Sequence, residues 1–305
     1  MRLRRLAVIA IFTAALAFGA SIFATAVSQY AMAGDFKTAN SILKLYRDRR
    51  GMTPEYLEAY SWIGRGDLQV KKYQAALDNA AEVRELSLKQ LAGRKLDSDP
   101  NLPMALGASI EVSAQALTRL GRRDEAMMFL SAELVKWKTT SINSRIQKNI
   151  NLLTLEGKPA PPLDVTRGLN GPKPRPLSAH LGHPVLLFFW AHWCSDCKQE
   201  IPIIQRIQAA FKSRGLQVIA PTQHYGYIGG GEDAAPAVET PYIARVFNQY
   251  YSGLGNVETP LSEVNFMRYG VSTTPTLVLI NAAGKVTLYH PGLMTFAELS
   301  SAIAR

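Results

Sequence analysis

The chain holds two cysteines in 305 residues, and they stand three positions apart as Cys194 and Cys197. Two intervening residues let both sulfurs meet within one helical turn, so a mixed disulfide formed on the first can be resolved by the second without rearranging the backbone. The apolar run from Pro184 to Trp190 ends just before Trp193-Cys194-Ser195-Asp196-Cys197, and a helix is expected from there onward. That order puts Cys194 at a helix N-terminus, where unpaired backbone N–H groups and the positive end of the helix dipole favour a thiolate. A static structural disulfide and half of a metal site are the competing readings. A structural bridge gains little from closing so short a loop. A metal would need two more ligands drawn from the scattered His183, His192 and His224. Reversible dithiol–disulfide exchange is the chemistry that the spacing suits best, and no metal ligands are assigned.

The elements that must position this pair read as an α/β unit. Pro184–Trp190 suits a strand buried on both faces, Cys197–Arg214 a helix stopped by Gly215, and Leu216–Ala220 a second short strand. Thr276–Ile280 and Lys285–Tyr289 flank Asn281-Ala-Ala-Gly284 as a hairpin, and Thr295–Ala304 forms a closing helix with a threonine cap. Six prolines between Gly157 and Pro176 mark a boundary, with a short strand expected near Leu163–Thr166.

Upstream, Asp35 to about Leu155 follows a helical pattern. The segments Gly34–Ala39, Val70–Ala76 and Gly121–Ala126 look like copies of one joint, a tight turn followed by a helix that opens with a small residue. They resemble the central turn and second helix of tetratricopeptide repeats, with unequal spacing and an extra loop at Gly93–Pro103. This middle part is expected either to dock a protein partner on a concave helical surface or only to pack as a bundle. At the start, Arg2, Arg4 and Arg5 precede an apolar run from Leu6 to Val27. With small-residue sites at Ala24-Thr25-Ala26 and Ala31-Met32-Ala33, it reads as a cleaved secretory signal or a retained membrane anchor. The expected organisation is therefore 1–33 export segment, 34–156 tetratricopeptide-like helical domain and 157–305 α/β domain, exported to the periplasm or another extracytoplasmic space. Composition fits a globular protein, with 47% hydrophobic and 19% charged residues. The net charge of +10 is spread without a long basic run, so no nucleic-acid partner is expected.

From about Gly157 to Arg305 the sequence resembles the thioredoxin superfamily, and within it the exported TlpA/ResA-like thiol:disulfide oxidoreductases. Phe189-Trp-Ala-His-Trp-Cys-Ser-Asp-Cys197 resembles the family's F-W-A-x-W-C-x-x-C. Glu200-Ile-Pro202 resembles its E-x-P, and Gly270-Val-Ser-Thr-Thr-Pro-Thr276 its G-V-x-x-x-P-T. The resemblance implies a thioredoxin fold, with Cys194 as attacking and Cys197 as resolving thiol. It also implies a cis proline at Pro275 beside the disulfide, with Thr274, Pro275 and the flanking Trp193 meeting the substrate backbone, and a bend of the long helix at Pro202. No cofactor is implied beyond the redox-active cysteine pair. The implied partners are protein disulfide substrates and a membrane or periplasmic electron donor. Glu200, one helical turn past Cys197, is placed to relay a proton to or from the resolving thiol. Cytoplasmic thioredoxins often carry a buried aspartate where this chain has Phe188, which favours Glu200 as the proton relay over the competing reading of a solvated glutamate in the helix's first turns. Asp196, between the cysteines, should oppose thiolate formation at Cys194 and so favours a reductant over a strong oxidant.

The segment Pro221–Pro260 is longer than the family pattern and is expected to be a mobile substrate-side loop. Its Gly229-Gly-Gly231 lacks the Gly-Lys-Ser/Thr of a phosphate loop and is followed by acidic Glu232 and Asp233. His224, alone in this loop, is expected to be solvated or hydrogen-bonded. Two readings compete with an oxidoreductase: a helical-repeat adaptor whose α/β part binds without turnover, and a copper chaperone. The intact cysteine pair disfavours the first, and the close cysteine spacing disfavours the second.

Overall fold

The computed structural model describes residues 21–169 and 171–305. The basic start and most of the apolar leader lie outside the described residues. Contacts divide the chain into two compact units, Met1–Ala126 and Met127–Arg305.

The first unit is helical: α1 (Ile22–Met32), α2 (Phe36–Arg50), α3 (Pro54–Gln69), α4 (Tyr73–Leu91), α5 (Leu102–Arg119) and the opening turn of α6 (Arg123–Lys136). The three repeated joints of the sequence share one geometry. At each, a residue with positive φ (Gly34 at 78°, Lys71 at 63°, Gly121 at 79°) ends one helix. Its N–H bonds three residues back and the next N–H five residues back, as in Asp35 to Tyr30, Lys72 to Asp67 and Arg122 to Leu117. This is the Schellman closure, which satisfies two carbonyls that a helix end leaves open.

The sequence assigns residues 22–32 to the export segment, whereas the structure places them in the helical unit as α1. Ser21 caps this helix by accepting the Ala24 N–H at 3.0 Å. Ala24, Val27 and Ala31 form its buried face. These small residues permit close approach to α3, where a Cβ added to Gly66 would lie 2.4 Å from the Ala31 carbonyl oxygen. Phe23 stacks on Tyr46 of α2 with ring centroids 4.1 Å apart. No helix among the described residues is long and apolar enough to cross a membrane.

The second unit holds most of α6, α7 (Asn143–Thr154), and then a thioredoxin-like arrangement. Its elements are β1 (Val185–Phe189), α8 (Ser195–Ala210), β2 (Gln217–Ile219), α9 (Pro236–Tyr250), α10 (Glu263–Tyr269), β3 (Thr276–Ile280), β4 (Val286–Pro291) and α11 (Phe296–Ala304). The sheet order is β2-β1-β3-β4. β1 runs parallel to β2 and antiparallel to β3, which pairs antiparallel with β4. Alternation along β1 feeds two cores. Leu186 and Phe188 face the cluster that includes Ile201, Ile204, Phe247 and Leu299, while Val185, Leu187 and Phe189 join Phe266, Tyr269 and Val278. Burial on both faces is why this run reads as continuously apolar.

Two expectations are corrected. Leu163–Thr166 is not a strand, because Asn265 takes up its backbone, accepting the Asp164 N–H at 2.7 Å and donating to the Asp164 carbonyl at 2.9 Å. Pro221–Pro260 is not an open loop: it contains α9, whose Ile243, Val246 and Phe247 enter the core together with Tyr251, Leu254 and Val257. Pro202 lies inside α8. Thr295 and Glu298 form a reciprocal capping box at the start of α11.

Candidate functional site

Leaving β1, the chain passes through the fully buried Trp190, whose Nε1–H donates to the Ala220 carbonyl at 3.0 Å. It then runs through Ala191, His192 and Trp193 to Cys194, the N-cap of α8. Cys194 and Cys197 are joined as a disulfide. Cys194 Sγ accepts the Cys197 N–H at 3.0 Å, so the helix end expected from the sequence does aim a backbone donor at this sulfur. Cys197 is fully buried and Cys194 nearly so, whereas Trp193 is 49% exposed. An exposed indole thus stands next in the chain to a nearly buried sulfur.

The Thr274–Pro275 peptide bond is cis. The Thr274 carbonyl oxygen lies 3.4 Å from Cys194 Sγ, so this loop stands beside the disulfide, the placement that the family resemblance implies. Pro275 itself is buried at the start of β3, where its carbonyl accepts the Gly292 N–H at 2.8 Å.

Glu200 lies one turn past Cys197 on α8 and is fully buried. One carboxylate oxygen accepts the Met294 N–H at 3.3 Å, and the other has no hydrogen-bond partner. Burial without a cation pushes this carboxyl up to about 7; the single amide bond pulls against that shift, and nearby Glu298 adds to it. Such a group can gain or lose a proton near neutrality. Asp196 is exposed in the first turn of α8, so solvent weakens its field at Cys194.

The sequence reading considered His192 only as one of three scattered histidines and did not single out Glu239. The structure pairs them. Both are buried, with His192 Nε2 3.5 Å from Glu239 Oε1. Glu239 also accepts the N–H groups of Tyr225 and Gly226 at 2.6 and 3.0 Å. Burial lowers the His192 pKa, with Glu239 acting in the opposite sense. The only signal in the sequence is an ionisable residue inside an otherwise apolar motif. His224 bonds Thr240 Oγ1 at 2.8 Å. Among the described residues no group of three or more His, Cys, Asp or Glu is placed to hold a metal ion.

Comparison with known proteins agrees with the geometry. Residues 178–305 match the Thioredoxin-like domain family. The thiol-disulfide oxidoreductase ResA of Bacillus subtilis is 32% identical over 140 residues, which cover 46% of this chain and 69% of that protein. ResA of Bacillus thuringiensis is 30% identical over 143 residues, 47% of this chain and 73% of that one. Among solved structures, a Chlorobium tepidum protein assigned as a thiol:disulfide interchange protein DsbE shares 28% identity. It covers 49% of this chain and 95% of its own, with a TM-score of 0.38.

Proposed function

Because this chain belongs to the ResA-like thiol-disulfide oxidoreductases of the thioredoxin superfamily, we propose that it reduces disulfides of exported proteins outside the cytoplasm. The observation that carries this reading is one arrangement. A disulfide caps α8, the Thr274 carbonyl stands beside Cys194, and a buried carboxyl titrating near 7 lies one turn below Cys197.

In the reducing direction the Cys194 thiolate attacks one sulfur of a substrate disulfide. That S–S bond breaks, a mixed disulfide forms, and the displaced substrate sulfur leaves as a thiolate that takes up a proton. Glu200 then accepts the proton of the Cys197 thiol. The resulting thiolate attacks Cys194, closing the disulfide of the described state and releasing the second substrate sulfur, which is protonated in turn. Two electrons pass to the substrate, so an external dithiol must return them before the next cycle. A membrane-bound or periplasmic donor is the partner this requires. Trp193 and Thr274 present the surface against which the substrate backbone lies, the half-exposed indole and the loop carbonyl being the groups next to Cys194, and the buried Pro275 sets that loop through its cis bond.

Asp196 supports the reducing sense, since a negative charge between the cysteines disfavours the Cys194 thiolate that a strong oxidant stabilises. Export is supported by the basic start and apolar run of residues 2–20. The packing of α1 supports a leader that, if removed, ends before Ser21, since cleavage after Ala26 or Ala33 would strip all or part of α1 from the unit it packs into. Ala15-Leu16-Ala17 is a small-residue site that meets this condition. The three equivalent Schellman joints support a tetratricopeptide-like reading of the helical unit, and with it a docking role toward a protein partner.

The test is a Cys197→Ser variant incubated with the envelope fraction of an exporting host. The variant should accumulate mixed disulfides through Cys194 that dithiothreitol releases. Absence of such adducts, with Cys194 free and reactive toward small disulfides, would contradict a protein-disulfide substrate.

A further inference from the structure

Beside the cysteine pair lies a second buried arrangement that the exchange chemistry does not use. Residues Gly226–Ala234 form a small hairpin: the Ala234 N–H bonds the Gly226 carbonyl at 2.8 Å and the Ile228 N–H bonds the Glu232 carbonyl at 2.9 Å. Gly230 and Gly231, at φ 78° and 79°, make its tip. That conformation is open to glycine and strained for other residues, which gives the glycine run a structural reason.

The base of the hairpin is held from below. The two amides that enter it, Tyr225 and Gly226, both end on the Glu239 carboxylate. His192 Nε2 lies 3.5 Å from Glu239 Oε1, the oxygen that also takes the Tyr225 N–H, and makes no hydrogen bond of its own. Three tyrosine rings surround the imidazole edge-to-face: Tyr227 and Tyr242 with centroids at 5.3 Å, and Tyr225 at 5.5 Å. Tyr225 in turn meets Trp193 edge-on at 5.5 Å. A fully buried carboxylate is tolerated only where donors and a partner compensate its lost hydration. Here the two amides tie the start of α9 to the base of the hairpin, and the imidazole from the turn before α8 packs against the same carboxylate. The tie terminates on the exposed indole next to Cys194.

We propose that His192 and Glu239 are positioning residues that fix the Gly226–Ala234 hairpin beside Trp193, and that this hairpin is a recognition element for polypeptide disulfides as opposed to small ones. A small disulfide needs only the sulfur of Cys194. A polypeptide must also lay its chain against Trp193 and whatever stands beside the indole, so its binding depends on where the hairpin is held. The proposal rests on disulfide exchange at Cys194 and adds a residue pair that selects the substrate class.

The experiment compares wild type, Glu239→Gln and His192→Phe as reductants of insulin and of 5,5′-dithiobis(2-nitrobenzoate), together with amide hydrogen exchange at Tyr225 and Gly226. Gln retains the shape of Glu239 but offers one acceptor oxygen to two amides. Phe retains the ring packing of His192 but removes its nitrogens. Both variants are expected to raise KM for insulin at least fivefold with kcat nearly unchanged, and to act on the small disulfide within twofold of wild type. Glu239→Gln should also lose at least tenfold in protection of the two amides. Equal losses on both disulfides, or unchanged KM for insulin, would overturn the proposal. Unaltered amide protection in Glu239→Gln would overturn the clamp on its own, by a readout that does not depend on turnover. A wild-type protein that reduces neither disulfide while the two amides are protected would instead refute exchange at Cys194, and the selection built on it would fall with it.

Discussion

Replacing Glu200 by Gln should abolish a stability change that the wild-type protein shows between acid and neutral pH. The carboxyl is raised from 4.5 to about 7 in the folded protein, a difference worth about 3 kcal/mol at 1.36 kcal/mol per unit. Between these values the folded state holds a proton that the unfolded chain has released. Stability therefore falls as pH rises through this window, being fully present below about 4.5 and lost above about 7. Gln is isosteric, can still accept the Met294 N–H, and has no charge to desolvate. The assay is urea unfolding of the oxidised proteins, in which neither cysteine titrates, at intervals from pH 4 to pH 9. The quantity to follow is the stability of Glu200→Gln minus that of wild type. Buried Glu58 of the helical unit also titrates at about 7, but it is present in both proteins and cancels in the difference. The difference should move in favour of Gln by about 3 kcal/mol between the two ends of the range. Parallel curves would show that Glu200 keeps an ordinary pKa, and its assignment as proton relay would fail.

Three further outcomes are expected. Asp196→Asn should lower the Cys194 pKa in the reduced protein by about half a unit, the scale of an exposed unit charge several ångströms away in water, measured by the pH dependence of alkylation; a rise would contradict the electrostatic argument for a reductant. Gly66→Ala should destabilise the helical unit by about 1–3 kcal/mol, because its Cβ would meet the backbone of Ala31 at 2.4 Å, and limited proteolysis should then cut α1 first. Intact-mass measurement of the protein recovered from an exporting host should find every residue from Ser21 onward, and a mature chain that begins at Val27 or Gly34 would contradict the role of α1.

The cysteine motif was legible because its parts are neighbours in sequence: β1 ends, a helix begins, and Cys194 is the residue between. Glu200 was legible for the same reason, since helical periodicity alone puts it on the face of Cys197. Thr274-Pro275 was read through family resemblance, since spacing does not say which loop will stand beside a given sulfur. Two other features were hidden by composition. α1 shares its alanines and valine with the apolar leader, and what separates them is the packing of Ala24, Val27 and Ala31 on α3. α9 carries Pro236 at its start and Pro241 within, directly after a glycine-rich stretch, so it reads as loop although its Ile243, Val246 and Phe247 supply core surface. His192 and Glu239 were unreadable as a pair because the fold, and no local pattern, brings them together.

The central claim is that Cys194 and Cys197 cycle between dithiol and disulfide at a reducing potential. Equilibrating the protein with dithiothreitol buffers and trapping free thiols measures that potential directly. The account predicts a single reversible two-electron transition near the value of thioredoxin, about −270 mV. A potential near that of the strong oxidant DsbA, about −120 mV, or a pair that never opens, would contradict it.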